Sequence, residues 1–217
     1  MSNVSALSVQ VSSRTRKRVA IASAAVLVLL AAIAIDTKVV KIGSDEDVQE
    51  QVFSPEKYGT KTFPIVQQSI ESRAVDAATL AQALADNKAE AVKKYGVGSP
   101  MPVIPVSFTG VVGEGRMGTY YVNVDGVPDN VKIRVQTGPA INGTDLRDAT
   151  GDIKFGDFKN QIEYQNAGAA INDAMKEGVL KNIDNADLAG RTVEITGAFR
   201  LLNPKNWLVT PVRMEVK

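Results

Sequence analysis

Val106-Ser107-Phe108-Thr109-Gly110-Val111-Val112, Tyr120-Tyr121-Val122-Asn123-Val124-Asp125 and Val131-Lys132-Ile133-Arg134-Val135-Gln136 are the stretches whose reading decides the fold. Val106, Phe108, Gly110 and Val112 occupy alternate positions in the first. Tyr120, Val122 and Val124 do so in the second, and Val131, Ile133 and Val135 in the third. A period of two is that of a half-buried strand, because successive side chains point to opposite faces. Asp125-Gly126 and Pro128-Asp129 supply turn residues between the second and third.

Downstream the period changes. Residues 158–176 read as a helix capped by Asp157, with an imperfect apolar face through Ile162, Ala169, Ala170 and Ala174. Two further strands close the chain. Val193, Ile195, Gly197 and Phe199 share a face of one, and Leu208, Thr210, Val212, Met214 and Val216 a face of the other. Three strands, a helix and two strands is the element order of the OB-fold, a small Greek-key barrel. Gly110 and Gly197 are placed where such a strand bends. A different small antiparallel barrel or sandwich fits the same order.

Upstream, Gly98-Ser99-Pro100-Met101-Pro102 marks a boundary. Before it lie helical signals. Ser54 and Pro55 open one helix through Tyr58, Phe63, Val66 and Ile70, which Pro64 should kink or interrupt. Asp76 caps a second with Leu80 and Leu84. Asp86 caps a third, ended by Gly96. Residues 36–50 read as a short extended stretch, 38–42, and an acidic linker from Ser44 to Asp47.

The N-terminus carries an address. Arg14, Arg16, Lys17 and Arg18 precede residues 19–35, which contain no charged residue, proline or glycine. At about 1.5 Å per residue this run spans roughly 25 Å, the short end of what crosses a bilayer. Nine of its residues are Val, Leu or Ile, giving roughly −3 to −5 kcal/mol toward insertion. The basic cluster orients the segment with residues from Asp36 onward outside the cytoplasm. Two readings compete: an uncleaved single-pass anchor in the inner membrane, and a signal segment cut after Ala34 within Ala32-Ile33-Ala34. The division is a basic cytoplasmic lead (1–18), the transmembrane or signal segment (19–35), a linker and helical region (36–99), and an OB-like domain (100–217). The fold class is α+β, with a five-stranded OB-like antiparallel β-barrel and one helix between strands three and four.

Composition excludes much chemistry. The chain of 217 residues contains no cysteine and no histidine. Thiol nucleophiles, disulfides, thiolate zinc and histidine-based acid–base catalysis are therefore absent. The formal net charge of +1 offers no general pull toward nucleic acid. Gly113-Glu114-Gly115-Arg116-Met117-Gly118 has dinucleotide-loop spacing, but a strand follows where a helix is needed, so it reads as a hairpin. Asn142-Gly143-Thr144 reads as a turn. No spacing singles out a catalytic carboxylate pair, a metal site or a cofactor site, and the chain reads as non-enzymatic. The candidate ligand-binding residues are polar loop and helix-start positions: Asn142, Thr144, Asp145, Arg147, Asp148, Asn160 and Gln161. An Arg147–aspartate pair that merely pins the loop is the structural alternative. Tyr120, Tyr121 and Trp207, with Lys132 and Arg134, offer a stacking surface of the kind OB barrels use for sugars.

Gly138-Pro139, Gly143-Thr144, Leu146-Arg147-Asp148-Ala149, Phe155, Asp157-Phe158 and Asn160-Gln161-Ile162 resemble a family of predicted bacterial periplasmic lipoproteins, domain of unknown function 2291. Lys38-Val39-Val40-Lys41-Ile42, Thr196-Gly197-Ala198-Phe199 and Thr210-Pro211-Val212-Arg213 extend the resemblance. The family has no established activity. Its members are often encoded beside sugar ABC importers, which implies an accessory role at the envelope and importer components as partners. The alternative is an independent carbohydrate-binding OB module. Such lipoproteins place a lipid-modified cysteine just before the Lys-Val-Val stretch, where this chain has Thr37. Threonine forms no thioether, so the hydrophobic segment must itself provide any membrane address. Mass spectrometry of the protein recovered from membranes should find residues 19–35 retained. A mature N-terminus at Ile35 refutes the uncleaved anchor.

Overall fold

The structure, a computed structural model, describes residues 13–37, 53–185 and 187–217. The stretch 38–42, the linker from Ser44 to Asp47 and most of the basic lead lie outside the described residues. The chain divides into two units, Met1–Val52 and Phe53–Lys217.

In the first unit, helix α1 runs from Ser13 to Asp36. Its stretch Arg16–Asp36, 21 residues with a mean hydropathy of 2.5, is long and apolar enough to cross a membrane. After the basic first turns, residues 19–35 carry no charge on any side of the helix, so that stretch has no charged face to turn toward water.

The second unit begins with α2 (Pro55–Glu71), with Pro55 in its first turn. Pro64 lacks the N–H that would bond the Thr60 carbonyl. It nevertheless does not interrupt α2, whose buried face of Phe63, Val66 and Ile70 continues on both sides of it. Strand β1 is short, Val75–Asp76. The Asp76 carboxylate accepts from the Thr79 N–H at 2.9 Å and opens α3 (Ala77–Asp86). Asn87, not Asp86, caps α4 (Lys88–Tyr95), accepting from the Ala89 and Glu90 amides, and Gly96 ends it. Asp86 accepts instead from Gln82, one turn back.

The sheet follows: β2 (Val103–Arg116), β3 (Thr119–Val124), β4 (Lys132–Gln136), β5 (Thr192–Arg200) and β6 (Asn206–Val216). Strand order is β1-β2-β3-β4-β6-β5, with β2 also paired to β5. β2 is long enough to serve two partners. Residues 103–111 pair with β5, and residues 110–116 pair with β3. Gly110 stands at the handover, opposite both Val124 and Val193. The pairings β1–β2 and β4–β6 are parallel. The sheet is therefore mixed and six-stranded, which corrects the expected barrel of five antiparallel strands. Period-two patterning identifies strands but carries no information about strand direction, and a two-residue strand such as β1 leaves no periodic trace. Met117 and Gly118, both with positive φ, make the two-residue turn from β2 to β3, so the glycine-rich run is a hairpin.

β6 corrects a second expectation. Its residues pair one-to-one with β5 until Thr196 faces Arg213 and Gly197 faces Pro211, leaving Val212 as an extra residue. This bulge reverses the phase of the strand. Trp207 and Val209 point into the core before it, and Val212 and Met214 after it. Leu208, expected inside, is only half-buried.

Between β4 and β5 lie α5 (Asp145–Ala149), a 3-10 turn (Phe155–Asp157) and α6 (Gln161–Met175), which continues into a π-helical turn, Lys176–Leu180. Asn160 caps α6 by accepting from the Glu163 amide at 2.9 Å. Asp157, the expected cap, accepts instead from the Lys154 amide within the 3-10 turn. One core joins these layers: Val66 and Ile70, Leu80, Leu146, Ile171 and Met175 from the helices meet Ile104, Phe199 and Trp207 from the sheet. Each such side chain contributes about 1.5–3 kcal/mol when fully buried.

α2 and α6 meet backbone to backbone. A Cβ added to Gly59 would lie within 2.2 Å of the Ala170 carbonyl oxygen. In an unpacked helix, Gly→Ala gains about 1 kcal/mol. Here Gly59→Ala should instead lower the stability of the unit by about 1–3 kcal/mol, because the helices must separate. Urea unfolding followed by circular dichroism reads the sign.

Candidate functional site

The loop entering α5 gathers four of the expected site residues. The Thr144 hydroxyl donates to Asp148 Oδ2 at 2.8 Å. Arg147 Nε donates to Asp148 Oδ1 at 2.7 Å, and its Nη1 to the Tyr164 carbonyl at 3.0 Å. The guanidinium also lies 3.6 Å from the centre of the Tyr164 ring, a cation–π contact. Arg200, on β5, completes the group. Its Nε donates to Asp145 Oδ1 at 3.1 Å, its Nη2 to Asp148 Oδ2 and its Nη1 to the Met101 carbonyl. Thr144, Asp145, Arg147 and Asp148 thus form one polar cluster with Arg200, tying α5 to β5 and α6. Arg200 lies more than fifty residues downstream, and no local pattern marks it.

The other three expected residues stand apart. Asn142 is held through its backbone: buried Gln136 accepts from the Asn142 N–H at 2.8 Å and donates to its carbonyl at 3.0 Å. Asn160 serves as the cap of α6, and Gln161 is exposed in that helix's first turn. Asn172 on α6 donates to the Gly143 carbonyl, fixing the turn from the other side.

Burial pushes the Asp145 carboxyl above its ordinary pKa, against the opposing pull of Arg200. Burial also acts upward on Asp148, but hydrogen bonds from Arg147, Thr144 and Arg200 outweigh it and hold that carboxyl below its ordinary value. Two carboxylates interlocked with two guanidiniums make a structural clamp. Its charges face one another rather than a space.

Beside the clamp runs a chain of rings that the sequence patterns did not single out. Phe53 meets Tyr58 at 5.4 Å, Tyr58 meets Phe158 at 5.6 Å, Phe158 meets Tyr164 at 5.4 Å, and Phe155 meets Tyr164 at 5.7 Å. Burial raises the Tyr58 phenol above its ordinary pKa. Only the short spacing of Phe155 and Phe158 hinted that this segment turns aromatic residues to one side.

Three concavities are large enough for comment. One of about 680 Å³ lies between α2 and α6, over Phe63, Pro64, Ala169 and Ala170, with Glu56, Asp173 and Glu177 around it. A second, about 430 Å³, opens on the outer face of β2, β3 and β4, lined by Glu114, Gly115, Arg116, Thr119, Tyr121 and Arg134. A third, about 390 Å³, is a shallow patch over Glu56, Lys57, Thr60 and Lys61. The expected stacking surface is reduced to this second hollow. Trp207 is fully buried, stacked on Phe199 at 4.8 Å, with its Nε1 donating to the Pro204 carbonyl. Tyr120 turns its hydroxyl onto the Asn185 carbonyl. Tyr121 and Arg134 remain outside, directly opposite each other on β3 and β4. Among the described residues no group of three or more acidic side chains is placed to hold a metal ion.

A family model described as predicted periplasmic lipoprotein (DUF2291) matches residues 24–215. The chain belongs to that family. Its match begins inside α1 and ends in β6, so it takes in the clamp and the outer hollow alike. Among solved structures, an OB-fold protein from Thermotoga maritima aligns with a TM-score of 0.62 and 22% identity, covering 77% of this chain and all of that one. That likeness shows the fold: an OB-type arrangement, reached here through a mixed sheet. No curated protein matches the chain. For this DUF2291 member, membership supplies a periplasmic setting and no activity.

The clamp sets a pH dependence. Asp148, with its lowered pKa, contributes stability that is present above the unfolded value and lost as pH falls through the folded one. Asp145, with its raised pKa, works oppositely, and its ionisation costs stability as pH rises. Asp148→Asn should therefore lower stability at pH 7 by about 2 kcal/mol. The deficit should shrink below the ordinary carboxylate range, whereas Asp145→Asn should cost less. Urea titrations at pH 7 and at a pH below the ordinary carboxylate range measure both.

Proposed function

We propose that this protein is a non-enzymatic, membrane-anchored accessory protein acting outside the cytoplasm, in support of a sugar ABC importer. The observation that carries the reading is the pairing of an apolar, membrane-length α1 with a compact unit whose polar cluster is closed upon itself. An enzyme keeps an activated group facing a cleft. Here the shifted carboxylates of Asp145 and Asp148 are engaged by Arg147 and Arg200. The absence of histidine and cysteine removes the imidazole base and the thiol nucleophile. The family's periplasmic description agrees with the orientation expected from the basic cluster in the first turns of α1. Affinity purification of the full chain from membranes should recover a permease or solute-binding protein, and deletion should lower sugar uptake. Recovery of neither, with uptake intact, overturns the reading.

A second reading rests on the hollow at Tyr121 and Arg134. An exposed aromatic ring beside hydrogen-bonding side chains on an OB-type sheet face is how such folds hold oligosaccharides. The protein is then an independent carbohydrate-binding module. Calorimetry of the compact unit against a glycan panel decides it, and uniformly null binding sinks it.

A further inference from the structure

The compact unit has seven arginines. Five have partners that explain them. Arg73 reaches the Ser69 hydroxyl and the Ala149 carbonyl, and Arg147 and Arg200 build the clamp. Arg191 faces Asp187 and Arg213 faces Glu215. The remaining two, Arg116 and Arg134, have neither an ion pair nor a hydrogen bond among the described residues, and Nε of Arg134 is buried without a partner. Both line the same hollow of about 430 Å³. A buried guanidinium nitrogen left unmatched costs free energy unless something supplies an acceptor.

The rest of the hollow limits what that something is. Tyr121, 46% exposed, presents an aromatic face directly across from Arg134. Thr119 lies opposite Arg116 on the neighbouring strand, and Glu114 is the single carboxylate in the lining. The bulge between Val112 and Gly115 turns the end of β2 so that Glu114 and Arg116 both reach the hollow. Gly115 leaves the space that the Tyr120 ring fills, since a Cβ there would fall 2.1 Å from that ring. Exposed Lys132 precedes Arg134 on the same face of β4. The hollow thus combines two forked cations, one flat apolar surface, and a hydroxyl and a carboxylate able to bond hydroxyl groups. A guanidinium fork matches a carboxylate in two parallel hydrogen bonds, and an aromatic face packs the C–H side of a sugar ring.

We infer that the hollow formed by Arg116, Tyr121 and Arg134 binds an acidic saccharide, its uronate carboxylate held by the two guanidiniums and its ring lying on Tyr121. The inference rests on the carbohydrate-binding reading and narrows it to a charge class. The test uses residues 53–217, a unit that holds the whole buried core within itself. Isothermal calorimetry is run with digalacturonate, with the neutral disaccharide galactobiose, and with inorganic phosphate. Digalacturonate should bind at least tenfold more tightly than either. Arg134→Lys, which keeps the charge and loses the fork, should weaken it about tenfold, as should Arg116→Ala and Tyr121→Ala. Arg213→Ala, on a different strand, should leave it unchanged. Equal binding of galactobiose overturns the acidic preference while the carbohydrate reading survives. Phosphate binding as tight as digalacturonate overturns the saccharide contact and leaves only an oxyanion site. Silence from all three probes, or digalacturonate binding indifferent to Arg116 and Arg134, overturns the inference, whereas the carbohydrate reading falls only if the glycan panel is silent as well.

Discussion

A single extra residue, Val212 in β6, sets which side chains of that strand reach the core. Without it, the strand would keep one phase throughout. Trp207 and Met214 would then emerge on opposite faces, because they lie seven positions apart, an odd offset. With the bulge opposite Gly197, both enter the interior. Trp207 stacks on Phe199 and Val212 is fully buried. The stretch after the bulge pairs antiparallel with β5, while the stretch before it also pairs parallel with β4. One backbone irregularity therefore keeps the apolar side chains of both halves of β6 on the core side of the sheet.

The helices are attached by charge as well as by burial. α5 is five residues long and too short to be stable on its own. It persists because Leu146 is buried beneath it and because Arg147 and Arg200 grip its two aspartates. Arg147 then passes the constraint to α6 through the Tyr164 carbonyl and ring. Polar residues on a loop look like a binding site in a sequence for the same reason that they make a good clamp: both need hydrogen-bonding groups held at fixed spacing. What separates the two is where the groups point. In the clamp, cations and carboxylates satisfy one another. In the hollow on the outer sheet face, Arg116 and Arg134 outnumber the one carboxylate beside them.

The strands of the sheet were legible because alternation survives wherever one face is buried. Val106, Phe108 and Val112, and likewise Ile133 and Val135, lie inside as their spacing requires. Asp76 and Gly96 were legible as helix punctuation because capping is local chemistry. Three things were not. Strand direction depends on connections through space, so the parallel pairing of β4 with β6 left no mark. The phase of β6 broke at a bulge opposite Gly197, a residue whose place in the strand signalled a bend but not on which strand the extra residue would fall. The clamp was half legible: Thr144, Asp145, Arg147 and Asp148 lie within one turn of chain, whereas Arg200 arrives from β5. The capping residues Asn87 and Asn160 sit one and three positions beyond Asp86 and Asp157, and a carboxylate serves as well as an amide at such a site, so spacing alone did not choose between them.

The family to which the chain belongs is described as lipoproteins, yet this sequence holds no cysteine on which to build a thioether. Its large apolar side chains between Val19 and Ile35 are all more than half exposed. Leaving nine such side chains in water forfeits roughly 1.5–3 kcal/mol apiece relative to burial, well over the net stability of a typical domain. No arrangement of charge in the flanking residues offsets a deficit of that size. Lipid around the helix removes that deficit, and so does cleavage of the segment. In the first case it replaces the missing lipid anchor and exceeds it, because a single acyl chain holds a protein only marginally and a membrane-spanning helix does not let go.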